Sequence, residues 1–502
     1  MKLANFAGFF IEYEKVLHFV QTRQGNALSV SQHINKLISY IRVELTLKIL
    51  SQHFAMKKTI LLTGIIFCSF FSTKAFSQQD FKKWAQTPPM GWNSWDCYGP
   101  TITEPEVKAN ADYMAKNLKK SGWEYIVVDI RWFVENDKAG GYNQTDPRYV
   151  MDEYGRYLPA VNRFPSAANG KGFKALADYI HSKGLKFGIH IMRGVPKQAV
   201  EKKLPIKGTT VTADRIYSTV MQCEWLKDNY TVDASKTGAQ EYYNSIFELY
   251  AAWGVDFVKV DDLSRPYHQD EIELIRKAID RTGRPIVLST SPGETPIEKA
   301  DHVRTHANMW RMVDDVWDTW PHITHLMKVA QQWYPYIQPG TWPDCDMIPL
   351  GRISIRGERG GDRQTRLTKD EQYSLMTFFT IFRSPLMFGG DMPSLDTFTN
   401  ALLTNKAVLK MHREGKDVKQ LFQADGKLAV TSVNAKTGER YLALFNISDN
   451  EKPLEIKVAL SDLGISGKAS ATDMWTGKAV GKVTGNILVT LAPHSCRLFS
   501  LK

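Results

Sequence analysis

Two periodicities divide this chain. Up to about residue 415, segments with apolar residues every three or four positions alternate with short, continuous apolar runs. The first kind predicts helices over Glu104–Ser121, Phe173–Lys183, Glu241–Trp253 and Asp270–Thr282, with Gly184 and Gly254 as stop signals. The second predicts buried strands over Tyr125–Asp129, Leu185–His190, Val255–Asp262 and Pro285–Ser289. Each strand runs in apolar and ends polar, at Asp129, His190, Asp261 and the Ser289–Ser291 segment. Strands that alternate with helices imply a parallel sheet with helical crossovers, and the length suits a (β/α)8 barrel. A doubly wound open sheet is the alternative, but no GxGxxG follows a strand.

From Leu428 the period becomes two, in LAVTSVNA, YLALFNIS, PLEIKVAL, ILVTLAP and SCRLFSLK, with turns at Lys436-Thr437-Gly438 and Trp475-Thr476-Gly477 between. Short alternating strands at this spacing predict an antiparallel β-sandwich. The expected fold class is α/β: a barrel over residues 80–414, then a sandwich over 415–502 that carries no catalytic grouping.

The first 79 residues follow neither pattern. Met56-Lys57-Lys58 opens a charged segment, and Thr59–Phe71 is apolar but too short to span a bilayer. Small and polar residues then run to Gln79, with a cleavage site expected near Ala75–Ser77. Residues 56–79 therefore read as a secretory signal peptide and 1–55 as an upstream extension, which makes the protein exported, periplasmic or secreted, with no membrane span. Much of the net charge of +11 lies in this leader: with nine Lys/Arg and three Asp/Glu in residues 1–79, the rest carries 55 basic and 50 acidic groups, +5. No basic run interleaved with aromatics remains, so nucleic acid is not an expected partner. Cys97, Cys223, Cys345 and Cys496 lack the spacing of a zinc site, and their pairing is not legible.

Candidate chemistry gathers at two strand ends. Val255–Asp262 delivers Lys259, Asp261 and Asp262 to the edge of a buried run, and Trp310–Asp318 sets Asp314 and Asp315 beside Arg311, amid Trp310 and Trp317. At the carboxyl face of a parallel barrel such acids are placed for chemistry. Two carboxylates with aromatic walls form the constellation that cleaves a glycosidic bond. The 13 Trp residues point the same way, since sugar C–H faces stack on indoles. Lys259 beside Asp261 favours an ionised nucleophile. The apolar neighbours of Asp315 and the adjacent Asp314 predict a raised pKa, as a general acid needs. Asp314 is the rival for that role.

From about Thr87 to the C-terminus the chain resembles the α-galactosidases of glycoside hydrolase family 27. The shared motifs are Pro88-Pro89-Met90-Gly91-Trp92-Asn93-Ser94-Trp95, Lys259-Val260-Asp261, the Trp310–Asp315 stretch and Trp342-Pro343-Asp344-Cys345-Asp346-Met347. The resemblance implies a retaining mechanism with no metal or organic cofactor. Asp261 corresponds to the nucleophile and Asp315 to the acid/base. Lys259 and Arg311 correspond to sugar-hydroxyl donors, Trp95 to a stacking wall, and Asp129 and Asp346 to further sugar contacts.

Four departures bear on substrate. Ile130 stands where the family has a second Asp gripping the O4/O6 side of the sugar. Thr290-Ser291-Pro292 replaces the Cys-Glu-Trp that recognises the 2-hydroxyl. His190 replaces a Tyr and is either a sugar contact or a satisfied strand-end histidine. The cysteine downstream of the nucleophile is absent. The expected function is a retaining exo-glycosidase for terminal galacto-configured residues: an α-D-galactosidase with β-L-arabinopyranosidase activity through Ile130. Its partner is an oligosaccharide or glycan. The alternatives are an α-N-acetylgalactosaminidase through Ser291, a non-catalytic sugar-binding protein, and a metal-dependent hydrolase using the acidic pairs with His190.

Overall fold

The computed structural model describes residues 80–450 and 452–502. The expected signal peptide and upstream extension lie outside the described residues. Eight parallel strands are β1 (Met90–Asn93), β2 (Tyr125–Val128), β3 (Lys186–Met192), β4 (Phe257–Asp261), β5 (Val287–Thr290), β6 (Met309–Arg311), β7 (Trp342–Asp344, continuing after a break as Met347–Ile348) and β8 (Leu386–Phe388). Each pairs with its successor, the second segment of β7 pairs β8, and β8 returns to β1. The sheet is therefore a closed barrel. Closure needs the break in β7: Asp346 turns through φ +81°, and its N–H donates to Asp344 Oδ1 at 2.9 Å. Asp tolerates that conformation because its side chain can satisfy backbone nearby.

The strands are apolar along most of their length because both faces are buried, and their polar side chains gather toward the carboxyl ends, at His190, Lys259, Asp261 and Arg311. Along β2, Tyr125 and Val127 point into the barrel with Phe257, Val287 and Met309, while Ile126 and Val128 pack outward against the helices. Helices Ala239–Trp253 and Gln269–Thr282 end on Gly254 and Gly283 at φ +86° and +71°, the left-handed turns where glycine costs least. The helix expected over Glu104–Ser121 starts on a Thr103/Glu106 capping box but is α-helical only to Tyr113. It widens into a π turn over Met114–Leu118 and tightens over Lys119–Ser121.

The C-terminal part holds β9 (Gly415–Ala424), β10 (Lys427–Asn434), β11 (Arg440–Asn446), β12 (Leu454–Ala459), β13 (Lys468–Asp473), β14 (Ala479–Thr484), β15 (Asn486–Leu491) and β16 (Cys496–Leu501). Six form one sheet, ordered β9-β10-β11-β16-β13-β14, and β12 pairs β15 across the core. Leu442, Leu444, Ile456, Val458, Ile487, Leu491 and Phe499 fill the space between them. Helix Lys369–Phe382 joins sandwich to barrel: Trp475 Nε1 donates to Thr377 Oγ1 at 2.8 Å, and Ser374 Oγ donates to the His494 carbonyl at 2.7 Å. Among the described residues Cys97, Cys223, Cys345 and Cys496 are free and buried, and no helix is long and apolar enough to cross a membrane.

Candidate active site

A cavity of about 460 Å³ opens at the carboxyl ends of the barrel strands. Trp95, Asp129, Ile130, Lys259, Asp261 and Asp315 line it. Ser291, Arg311, Asp346 and His190 are 0–2% exposed and sit behind that lining. The structure thus brings these ten residues into one neighbourhood, six on its wall and four behind it.

The wall begins at the end of β2. Asp129 is 2% exposed; its N–H donates to Ser94 Oγ at 2.9 Å, and its Oδ1 accepts from the Ile130 N–H at 2.6 Å. Ile130 follows directly and is 1% exposed, so the position beside Asp129 is apolar. On β4, Lys259 Nζ is 3.9 Å from Asp261 Oδ1. Burial pushes the Asp261 carboxyl up, but Lys259, His190 and Arg311 outweigh it and hold the group below the usual carboxylate range. Its Oδ1 is buried without a hydrogen-bond partner. Burial likewise opposes charge on Lys259, and Asp261 with its neighbouring carboxylates reverses that and raises the ammonium pKa.

Arg311 is the hub behind the wall. Its Nη1 meets Asp346 Oδ1 at 2.5 Å and its Nη2 meets Asp315 Oδ1 at 3.1 Å. The Val316 N–H also donates to Asp346 Oδ2 at 2.7 Å. Arg311 and Asp346 therefore hold each other and the loop after β6. The expected surroundings of Asp315 are corrected here: its side chain is 37% exposed and ion-paired, while Trp310 and Trp317 turn into the core. Asp314 is more exposed still and takes both Nη atoms of Arg265 at 2.9 Å on the rim. Ser291 Oγ accepts from Arg311 Nη1 at 3.4 Å, and Pro292 and Gly293 face the cavity in its place.

Several participants were not singled out from the sequence. The aromatic wall is Trp95, Tyr142 and Trp225, with ring centroids 5.6 and 6.0 Å apart in succession. Buried Arg131 anchors it, pairing Asp228 at 2.9 Å and Asp137 at 2.8 Å, with its guanidinium 5.6 Å from the Tyr142 ring. Arg265, His322, Met347, Glu358 and Arg359 complete the lining. Asp96, next to the recognised Trp95, is 1% exposed; burial, with Asp346 and Asp315 nearby, pushes its carboxyl well above the usual range. Asp262 turns away behind β4, at φ +67° and 2.7 Å from Arg193.

Among the described residues, two side-chain groups are compact enough to be considered for a metal ion: Asp129, His190 and Asp261 in the site, and Glu273, His302 and His306 outside it. In the second, the imidazoles stack at 4.1 Å and 20°, and His306 Nδ1 donates to the His302 carbonyl at 2.8 Å, which commits that nitrogen to the backbone.

The family model described as alpha galactosidase A matches residues 87–200 and 193–414, and its C-terminal beta sandwich domain matches 425–501. Among solved structures, a β-L-arabinopyranosidase of glycoside hydrolase family 27 from Geobacillus stearothermophilus is 51% identical, with a TM-score of 0.83, covering 85% of this chain and 98% of that one. Alpha-galactosidase 2 of Arabidopsis thaliana is 26% identical over 83% of this chain and 90% of its own length. An alpha-N-acetylgalactosaminidase of Gallus gallus is 24% identical over 83% and 94%. With both halves of the described chain matched, and the barrel mouth carrying the paired acids, the protein belongs to the α-galactosidase family, glycoside hydrolase family 27.

Proposed function

We propose that this glycoside hydrolase is an exported, retaining exo-enzyme acting on terminal β-L-arabinopyranosides and α-D-galactosides, with kcat/KM for the pentoside equal to or above that for the hexoside. We assign Asp261 as nucleophile and Asp315 as acid/base, with Lys259 and Asp129 binding sugar hydroxyls and Trp95 stacking on the ring. A nucleophile must be ionised, and the charges around Asp261 favour that form. Asp315 is accessible to an aglycone oxygen, whereas Asp314 is committed to Arg265.

The observation that carries the substrate reading is Ile130, buried in the cavity wall beside Asp129. β-L-Arabinopyranose is galactose without the C5 hydroxymethyl group. A carboxylate at position 130 would be stranded by the pentose, and a site built to bond a hydroxyl rejects the analogue lacking it by on the order of 10⁴-fold. Isoleucine removes that penalty and still tolerates the added hydroxymethyl, against which an apolar pocket discriminates by only about 10²-fold. The activity of the Geobacillus relative supports the same reading. Export rests on the signal-like residues 56–79.

A panel of nitrophenyl glycosides tests it. The arabinopyranoside is expected to match or exceed the galactoside, and Ile130→Asp to shift the ratio toward galactose by about 1–3 kcal/mol. Galactosidase activity alone, with a ratio unmoved by Ile130→Asp, would overturn the proposal. The N-acetylgalactosaminide is expected to be a poor substrate, because Ser291 is tucked behind Pro292-Gly293 and opens no space at the 2-position.

A further inference from the structure

The role left open for His190 is settled by its other neighbour. His190 lies on β3 beneath the cavity, with Nδ1 2.7 Å from Asp129 Oδ2 and 3.5 Å from Asp261 Oδ2. Its Nε2 is 2.9 Å from Asn93 Nδ2. The Trp95 backbone N–H donates to Asn93 Oδ1 at 2.8 Å. That contact orients the amide, since a flipped Asn93 would set its NH2 against another N–H. The group facing Nε2 is therefore an amide nitrogen, which only donates. Nε2 must offer its lone pair, and in the neutral ring the proton resides on Nδ1, toward the two carboxylates. The other tautomer would oppose two donors at one end and a lone pair to two carboxylates at the other. Nδ1 makes a well-directed hydrogen bond with neither acid but lies within reach of both.

We infer that His190 is a positioning residue: Asn93 locks it as the Nδ1–H tautomer, and this one N–H holds Asp261 and Asp129 in fixed relation through the reaction. The inference rests on Asp261 being the nucleophile. When Asp261 attacks the anomeric carbon, a bond forms from a carboxylate oxygen to carbon, and the aglycone leaves with a proton from Asp315. The charge on Asp261 disappears into the ester. Of the two acids, Asp129, with Oδ2 at 2.7 Å, is then the acceptor left to Nδ1–H, so the donor shifts to it and keeps it aligned on the sugar. Water activated by Asp315 then cleaves the ester, and the N–H is shared again. His190 exchanges no proton in this cycle. The same tautomer makes the Asp129–His190–Asp261 group a poor cation site, because the ring presents a hydrogen to it and not a lone pair.

Two measurements test this. In ¹⁵N-histidine-labelled enzyme, the resonances missing from the His190→Asn spectrum are expected to be pyrrole-like for Nδ1 and pyridine-like for Nε2. Asn93→Asp, which offers Nε2 an acceptor, is expected to make both pyrrole-like. The reverse assignment in wild type would overturn the inference. In kinetics, His190→Asn can replace the Nδ1–H donor with its amide and is expected to stay within about tenfold of wild type. His190→Leu is expected to lose on the order of 10–10²-fold in kcat/KM, the worth of a hydrogen bond to a charged group. It is also expected to move the acid limb of kcat/KM to higher pH, since ionised Asp261 loses a donor. Equal losses in both variants with an unmoved limb would reduce His190 to packing. Failure of an epoxide or fluorinated sugar to label Asp261 would instead overturn the nucleophile assignment, leaving the tautomer measurement standing.

Discussion

The mouth of the barrel and the core of the sandwich both bury most of their side chains and are filled in opposite ways. Around Asp261 the barrel buries Asp96, Asp129, His190, Lys259, Arg311 and Asp346, each no more than 9% exposed. Beyond His412 the buried polar residues, among the described ones, are Thr, Ser and Asn, and the sheets of the sandwich meet through Leu442, Leu444, Ile456 and Phe499. Burying a charge is costly unless it is paired, so a cluster of such residues has to be held by its own network or by a ligand. Arg311 pairs with Asp346, and Lys259 stands by Asp261, yet Asp261 Oδ1, Asp96 Oδ2, Ser289 Oγ and Thr290 Oγ1 are buried without a hydrogen-bond partner. The sandwich strands hold such atoms too, at Gln420 Oε1, Gln423 Oε1 and Ser432 Oγ, but these belong to neutral side chains, whereas Asp261 and Asp96 are carboxyl groups.

The sharpest way to break this contrast is to remove an acid from the mouth. Asp261→Ala is expected to lose at least about 10⁴-fold in kcat, the scale seen when a covalent nucleophile is deleted. Azide or formate should restore part of it by entering the space the carboxylate leaves. Asp315→Ala is expected to lose about 10²–10⁴-fold on substrates with poor leaving groups and far less on nitrophenyl glycosides, which need little protonation. Inversion at the anomeric centre in an NMR time course would refute Asp261 as a covalent nucleophile and Asp315 as the base that cleaves its ester, because inversion requires a water that attacks the sugar directly.

What could be read from the sequence follows the same division. Strand ends announce themselves, because a continuous apolar run that stops in Asp129 or in Lys259-Val260-Asp261 can do so only at the edge of a buried sheet. Tyr142 and Trp225 were out of reach. They sit on long excursions after β2 and β3 and are brought together by the Arg131–Asp228 pair, a contact between residues 97 positions apart that no period encodes. Asp315 shows the hazard of reading neighbours in sequence as neighbours in space: Trp310 and Trp317 flank it along the chain and turn inward, leaving it on the cavity wall. In the sandwich, β14 escaped notice because Ala479–Thr484 is an edge strand with almost every residue exposed, so no alternation is required of it.

A perturbation of the sandwich should show the opposite signature. Leu444 is fully buried between the sheets. Leu444→Ala is expected to cost about 2–5 kcal/mol of stability through lost transfer free energy and the cavity left behind. At temperatures where the variant remains folded, kcat/KM should equal that of wild type. A change in kcat/KM comparable to that of Asp315→Ala, without a matching fall in denaturation midpoint, would show that the sandwich takes part in the site.

The smallest effect is expected at the junction, where a histidine is buried away from the chemistry. His412 is fully buried; its Nε2 donates to the Ser384 carbonyl at 2.6 Å, and Nδ1 has no partner. Burial, aided by Arg383 and Arg413, lowers its pKa to about 3 even though the bond to Ser384 opposes the shift. An unfolded histidine titrates near 6.5, so as pH falls below that value the unfolded chain binds a proton the folded one refuses. The stability contributed by neutral His412 is therefore complete above about pH 6.5 and is lost toward pH 3, at about 1.4 kcal/mol per pH unit. Burial lowers His268 to about 3 as well, with the same sign. Asp262 has the opposite sign: burial raises it to about 6, above an unfolded Asp near 3.9, so it adds stability as pH falls through that interval. Whole-protein pH curves mix these effects, and a difference isolates one. His412→Gln keeps a donor for Ser384 and removes the titration. Its loss of packing should shift stability by an amount independent of pH, whereas the missing proton should change the slope. Urea denaturation at pH 7, 6, 5 and 4 is expected to show the gap between wild type and His412→Gln closing by about 1.4 kcal/mol per unit below pH 6. A gap constant over that range would mean that His412 is as free to protonate in the folded protein as in the unfolded chain.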